Sequence, residues 1–256
     1  MLHYISFDEW TLALGQLGGD AMTVFRDRAD AGKRLAGRLS KYKDQRDLLV
    51  LALPRGGVPV GFEVATALNA PLDVFLVRKL GLPGHEELAM GAIASGGVIV
   101  LNEDVVRMHQ VPESTIESAV AKQRAELERR EHSYGRHRKH IDLRGKSVII
   151  VDDGLATGAT MRAAVAAVRK QQPARIIVAV PTAPPDTCRS FRDQADEVIC
   201  VITPQHFAAV GYWYSDFSQT TDQEVRELLD RADSRFRQDL PLPAQEGAPH
   251  EQQSPA

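Results

Sequence analysis

Three stretches of this chain are apolar almost without interruption: Leu48-Leu-Val-Leu-Ala-Leu53, Ser147-Val-Ile-Ile-Val151 and Arg175 to Val180. A strand with one wet face alternates apolar and polar residues. These do not alternate, so they read as strands buried on both faces, the condition of a parallel sheet covered by helices. Leu72–Val77 and Glu197–Ile202 read as two further strands. Helical patterns lie between them. Phe25 to Leu39 sets Ala29, Leu35, Ala36 and Leu39 near one face, and others run through Phe62, Ala65 and Leu68, from about Gly158 to Lys170, and over Asp186–Gln194. The alternation predicts an α/β fold with a central, mostly parallel sheet flanked by helices.

The 256 residues suit one good-sized domain, or a domain with an appendage. No apolar run approaches the roughly 18 residues of a membrane span. The N-terminus, MLHYISFDEW, carries Asp8 and Glu9 where an export signal has basic residues, so a cytoplasmic protein is expected. A formal net charge of −3 argues against a nucleic-acid partner. Cys188 and Cys200 match no zinc spacing and read as separate small buried residues, and no zinc site is placed among the eight histidines. Residues 1–21 read as a leader, with Met22 as an alternative start; residues 22–238 form the domain, and the Pro- and Gln-rich 239–256 a disordered tail. Residues 80–97 are Gly-rich and predict a long mobile loop with room for short hairpin strands. Residues 112–138 predict a charged helical insert with Ile116, Val120 and Leu127 as sparse apolar anchors. Its basic run Arg136–His140 reads as solvated surface. Asp222 to about Phe236 is acidic and helix-compatible.

The chemistry concentrates in Val148-Ile-Ile-Val-Asp-Asp-Gly-Leu-Ala-Thr-Gly-Ala-Thr160. Ligands of open α/β sheets bind where strands end at their carboxyl edge, and here a buried strand delivers Asp152 and Asp153 to that edge. The glycine-containing loop then opens a helix, whose unpaired N–H groups and partial positive charge suit a phosphate. Thr157 and Thr160 add hydroxyls, and Gly158 lets the backbone approach. Carboxylates facing a phosphate would repel it, so they fit sugar hydroxyls or a divalent cation instead. The element reads as a site for a phosphorylated sugar. No Gly-Lys-Ser/Thr follows the glycines and no Gly-x-Gly-x-x-Gly occurs, which excludes the common mononucleotide and dinucleotide loops.

This stretch resembles the phosphoribosyl-pyrophosphate (PRPP) signature of type I phosphoribosyltransferases, closest to the adenine enzymes. The resemblance implies that Asp152 and Asp153 hold the ribose diol and a substrate-bound Mg²⁺, and that Ala156, Thr157, Gly158 and Thr160 cradle the 5′-phosphate. Where the hypoxanthine-guanine enzymes have a proton-handling Asp, this chain has Ala156, so that role does not carry over. Ala52-Leu-Pro-Arg-Gly-Gly57 matches the family's pyrophosphate loop through Arg55, Gly56 and Gly57. Val77-Arg-Lys-Leu-Gly-Leu-Pro-Gly84 is similar to the adenine enzymes' Arg-Lys-x-Gly-x-Leu-Pro-Gly, which adds Arg78 and Lys79 as pyrophosphate cations. The loop beyond becomes the family's flexible flap, with Glu86 or Glu87 as the acceptor of the base's proton.

Five of the fifteen aromatic residues lie between Phe207 and Phe217. Residues 203–217 resemble the small base-binding hood of the hypoxanthine-guanine enzymes, with one extra residue in the spacing. That offers Phe207, Val210 and Asp216 as base contacts, against the alternative of an aromatic patch packed over the sheet. The resemblance spans roughly residues 48 to 217. It implies the type I phosphoribosyltransferase fold, with about five parallel strands, a flap and a hood, and Mg²⁺-dependent transfer from PRPP to a nitrogenous base. The expected partners are PRPP, a base and a second copy of the chain, with no membrane. Two alternatives stay open: a PRPP- or nucleotide-sensing module without turnover, and a phosphoribosyl-handling hydrolase. The adenine-like loop and the guanine-like hood disagree about the base.

Overall fold

The structure, a computed structural model, describes residues 24–134 and 142–238. The leader with its alternative start at Met22, the run Arg136–His140 and the tail lie outside the described residues. In chain order the elements are α1 (Arg28–Arg38), β1 (Leu48–Ala52), α2 (Gly57–Leu68), β2 (Leu72–Val74), β3 (Val77–Leu82), β4 (His85–Ala94) and β5 (Val98–Leu101). They continue with α3 (Glu103–Met108), α4 (Glu113–Tyr134), β6 (Ser147–Val151), α5 (Ala159–Lys170), β7 (Arg175–Thr182), α6 (Pro185–Ser190), β8 (Glu197–Ile202) and α7 (Asp222–Gln238).

Five strands form one sheet in the order β2-β1-β6-β7-β8, with every pairing parallel. Residue alternation explains why the strands look apolar throughout. Leu48, Val50, Ala52, Ile149, Val151, Ile177 and Ala179 face one core, shared with α1, α2 and α7. Leu49, Leu51, Leu53, Val148, Ile150, Ile176, Val178 and Val180 face the other, shared with α5 and Phe191. Both faces are dry, so neither set of alternate positions tolerates a polar residue. From β1 the chain first turns to β2 on one side and later returns to β6 on the other. The switch point therefore lies between β1 and β6, where the crevice of an open α/β sheet receives its ligand. The register pairs Ala52 with Val151, so the segments that follow the two strands leave at the same edge.

The Gly-rich stretch is strand rather than loop. β3, β4 and β5 form an antiparallel three-stranded sheet. Pro83-Gly84 closes its first hairpin with Leu82 opposite His85 and Gly84 at φ 78°, the Pro-Gly chemistry of a tight turn. Glycine content concealed the alternation. Leu80, Leu82, Met90 and Ile93 nevertheless join the first core, together with Leu127 and Tyr134 of α4. β2 stops at Val74, three residues short of expectation, and Phe75 and Leu76 turn inward before β3 begins. α6 also ends early, at Ser190, because Phe191 dives into the second core. No helix of the described residues is long and apolar enough to cross a membrane.

Candidate functional site

The site begins with the two chain segments that leave the switch point. Leu53 N donates to Val151 O (2.8 Å), carrying the ladder one residue beyond β1 before the turn Pro54-Arg55-Gly56, whose Pro54–Arg55 peptide is cis. α2 starts at Gly57, and both glycines press on the acid loop. A Cβ on Gly56 would lie 2.0 Å from Asp153 Oδ2; one on Gly57 would lie 2.8 Å from Val151 O and 3.0 Å from Asp152 Cα. The second contact is with backbone that cannot yield, so glycine there is a steric requirement. The sequence motifs 53–57 and 152–153, about a hundred residues apart, thus form one surface.

Asp152 and Asp153 are largely enclosed. Burial pushes the Asp152 carboxyl well above the usual carboxylate range, and the neighbouring Asp153 charge adds to the rise. Asp153 is also raised by burial, against the pull of Arg28. Arg28, at the start of α1, places Nε 2.8 Å from Asp153 Oδ2, with its Cζ 3.9 Å from the centre of the Phe217 ring and Nη1 donating to Ser218 O at 2.7 Å. Tyr214 donates its hydroxyl to Asp153 O. Asp153 is therefore held from the hood side by both its backbone and its side chain. Asp152 Oδ1 accepts from Asp153 N at 2.9 Å.

The loop beyond the acids is open where an anion would enter. Ala156, Thr157, Ala159 and Thr160 are exposed, whereas Leu155 and Gly158 are buried. Gly158 caps α5 at φ 73°, a left-handed conformation that favours glycine, and the Thr157 hydroxyl accepts from Ala159 N at 3.4 Å at this helix end. The floor is α6. Thr187 Oγ1 donates to Ala156 O at 2.9 Å, Arg162 bonds both Ser190 Oγ (3.0 Å) and Thr157 O, and the Phe191 ring lies directly under Gly158. Cys188 of α6 is disulfide-bonded to Cys200 of β8, which corrects the expectation of two separate buried thiols. The helix folds back over the following strand and brings together sulfurs twelve residues apart.

The hood is a short helical turn, Val210–Trp213, followed by an aromatic run. Val210 packs on the acid loop so tightly that a Cβ on Gly154 would stand 2.6 Å from its Cγ1. Phe207 stacks on Trp213 at 6.3 Å between ring centres, and Tyr214 lies between Phe25 and Phe217. Asp216 is exposed and accepts from Ser218 N at 2.9 Å, which holds its carboxyl below the usual range. Of the three predicted base contacts, Val210 thus reaches the acid loop, Phe207 packs within the aromatic patch, and Asp216 closes a turn. The segment just before α1 completes the hood: Phe25 pairs with Tyr214, with Phe25 N donating to Trp213 O and Ser215 N to Phe25 O, both at 2.8 Å.

The cations predicted for pyrophosphate divide between two places. Arg55 stays at the switch point, its Nη1 3.6 Å from Asp222 Oδ1 at the start of α7. Arg78 Nε donates to Gln123 Oε1 of α4 at 3.0 Å, and Lys79 lines a cleft of about 610 Å³ between β3 and α4. Glu86 and Glu87 sit in β4, and their side chains lie outside the described residues. Tyr214 belongs to the aromatic run noted in the sequence, but its bond to Asp153 O was not anticipated, nor were Arg28, Tyr134 and Asp222. Each meets the site only through contacts between distant parts of the chain, such as the 125 residues from Arg28 to Asp153, so no local pattern marks them.

Comparison with known proteins agrees with this geometry. Residues 22–216 match the sequence profile of the phosphoribosyl transferase domain. A protein of Mycobacterium tuberculosis, provisionally named a phosphoribosyl transferase, is 49% identical over 215 residues, which is 84% of this chain and 48% of that protein. The chain thus spans about half the length of the curated relatives it matches. The crystal structure of TT1426 from Thermus thermophilus superimposes with a TM-score of 0.73 at 44% identity, covering 80% of this chain and 97% of that one. With the profile covering residues 22–216, well over half of the sequence, this chain belongs to the phosphoribosyl transferase family.

Proposed function

We propose that the protein transfers the 5-phosphoribosyl group of PRPP to a nitrogen of an acceptor base, releasing pyrophosphate, with Mg²⁺ as cofactor. The observation that carries this reading is the meeting, at the β1/β6 switch point, of a half-buried acid pair with an Arg-Gly-Gly turn on one side and an open helix start on the other. A molecule with a sugar diol between two phosphate groups matches that order: diol on Asp152 and Asp153, 5′-phosphate on residues 156–160, pyrophosphate by Arg55 and the backbone of Gly56 and Gly57.

The donor set fits Mg²⁺. That ion takes one or two carboxylates and completes its octahedron with substrate oxygens and water. Asp152 and Asp153 are the carboxylates at the switch point, so this pair would hold it. When bound, Mg²⁺ neutralises charge on the leaving pyrophosphate. The chain's own groups do the rest. The acid loop fixes the sugar so that its anomeric carbon faces the hood, and Val210 and the aromatic run flank the acceptor. As the acceptor nitrogen bonds to the anomeric carbon, the bond from that carbon to pyrophosphate oxygen breaks. The acceptor's proton passes to Glu86 or Glu87 when the end of the β3–β4 hairpin covers the site.

A screen of purified protein with PRPP, Mg²⁺ and a panel of nitrogenous bases tests the proposal. Pyrophosphate release that depends on one base is the expected result. Release with no base present would assign a hydrolase, and PRPP binding without release across the panel would assign a sensor.

A further inference from the structure

The pyrophosphate turn is supported from outside the sheet. Tyr134, the last residue of α4, is 4% exposed, and its hydroxyl donates to Asp222 Oδ1 at 3.0 Å. The same oxygen lies 3.6 Å from Arg55 Nη1. Arg226, one turn further along α7, donates Nη1 to Ser133 O at 3.2 Å and so ties the two helices together beside this contact. Burial and the Asp222 carboxylate push the Tyr134 hydroxyl up to about 12, so it remains a donor across the physiological range. Leu127 and Tyr134 are the buried residues of α4, and the helix's Glu126 bonds Arg129 and Arg130 in solvent. Besides Gln123, which accepts from Arg78, and Ser133, which accepts from Arg226, the insert reaches inward through the Tyr134 hydroxyl, and that contact leads to Arg55.

We infer that Tyr134 and Asp222 are positioning residues that hold the Arg55 guanidinium at the switch point, so that the α4–α7 junction sets affinity for the pyrophosphate end of PRPP. The inference rests on the reading of the site given above. A long arginine loses rotamer freedom when it clamps an anion, and a carboxylate that already restrains it reduces that loss on binding. Asp222 cannot do this alone, since an exposed carboxylate has its own rotamers. The buried tyrosine removes that freedom without adding charge.

Tyr134→Phe is the informative variant, because it deletes one hydroxyl and leaves the ring and every charge in place. PRPP and ribose 5-phosphate, each titrated calorimetrically with Mg²⁺, separate the two ends of the site, since ribose 5-phosphate has sugar and 5′-phosphate but no pyrophosphate. Tyr134→Phe is expected to weaken PRPP about fivefold, the size of one lost hydrogen bond, and to leave ribose 5-phosphate unchanged. In an Arg55→Ala background, the same substitution should have no further effect on PRPP. Equal weakening of both ligands, no weakening of either, or persistence of the loss without Arg55 would each overturn the inference while leaving the proposed site standing. Failure of the unsubstituted protein to bind PRPP would remove the site assignment itself, and the inference with it.

Discussion

At the scale of single residues, the proposed reaction rests on Asp152 and Asp153. Replacing both with Asn keeps their shape and removes the charge that a diol and a cation require, so PRPP binding should vanish in a calorimetric titration while circular dichroism is unchanged. Asp152 alone makes a second prediction, about stability. Its carboxyl is raised above the ordinary unfolded value of about 4, so the folded state retains a proton that the unfolded state releases. Stability from this group is therefore full below about pH 4 and is lost as pH rises toward the raised folded value. Asp152→Asn escapes that loss, and its Oδ1 can still accept from Asp153 N. Without ligand and in the presence of a chelator, its melting temperature should exceed that of the unsubstituted protein at pH 7, with the gap closing by pH 4.

Among the elements, α6 has the clearest indirect role. Its six residues carry the Thr187 contact to Ala156 O of the loop beyond the acids and the disulfide to β8, and Phe191 follows at once. Phe191 is fully buried and supports Gly158 from below. Phe191→Ala should cost about 3–5 kcal/mol in urea unfolding, as for other large-to-small core changes, and should weaken ribose 5-phosphate because the loop's floor has gone. Unchanged affinity in the folded variant would show that the loop holds its shape without that floor. The β3–β4 hairpin behaves differently. It packs Leu80, Met90 and Ile93 into the core, so its base is fixed, and the closure proposed above would involve only the end carrying Pro83, Gly84 and the two glutamates.

Considered as a whole molecule, the site draws on β1, β6, α1, α7 and the hood, and a ligand that bridges them stabilises all of them together. PRPP with Mg²⁺ at about 100 times its dissociation constant should add about 2.7 kcal/mol to unfolding, seen as a rise in melting temperature that the Asp152/Asp153 double Asn variant lacks. This distribution also explains what could be read from the chain. The central strands were legible because burial on both faces leaves an unbroken apolar run, as at Leu48–Leu53. The acid loop was legible because Asp152 to Thr160 is one local unit whose spacing is itself the chemistry. The hairpin was legible only as short strands within a loop, because glycines weaken strand patterning. The pairing of Cys188 with Cys200 depends on how α6 turns back over β8. Arg28 and Asp222 were invisible for a simpler reason: each acts across more than a hundred residues, and nothing in FRDRAD or TTDQEV records its distant partner.

One consequence of the hood's construction is practical. Trp213, one of two tryptophans in the chain, is enclosed against Phe207 and precedes the tyrosine that grips the Asp153 carbonyl. Any sugar that shifts that acid displaces an indole's surroundings, so the unlabelled protein, with Trp10 changed to Phe to silence the background, carries its own optical gauge of occupancy.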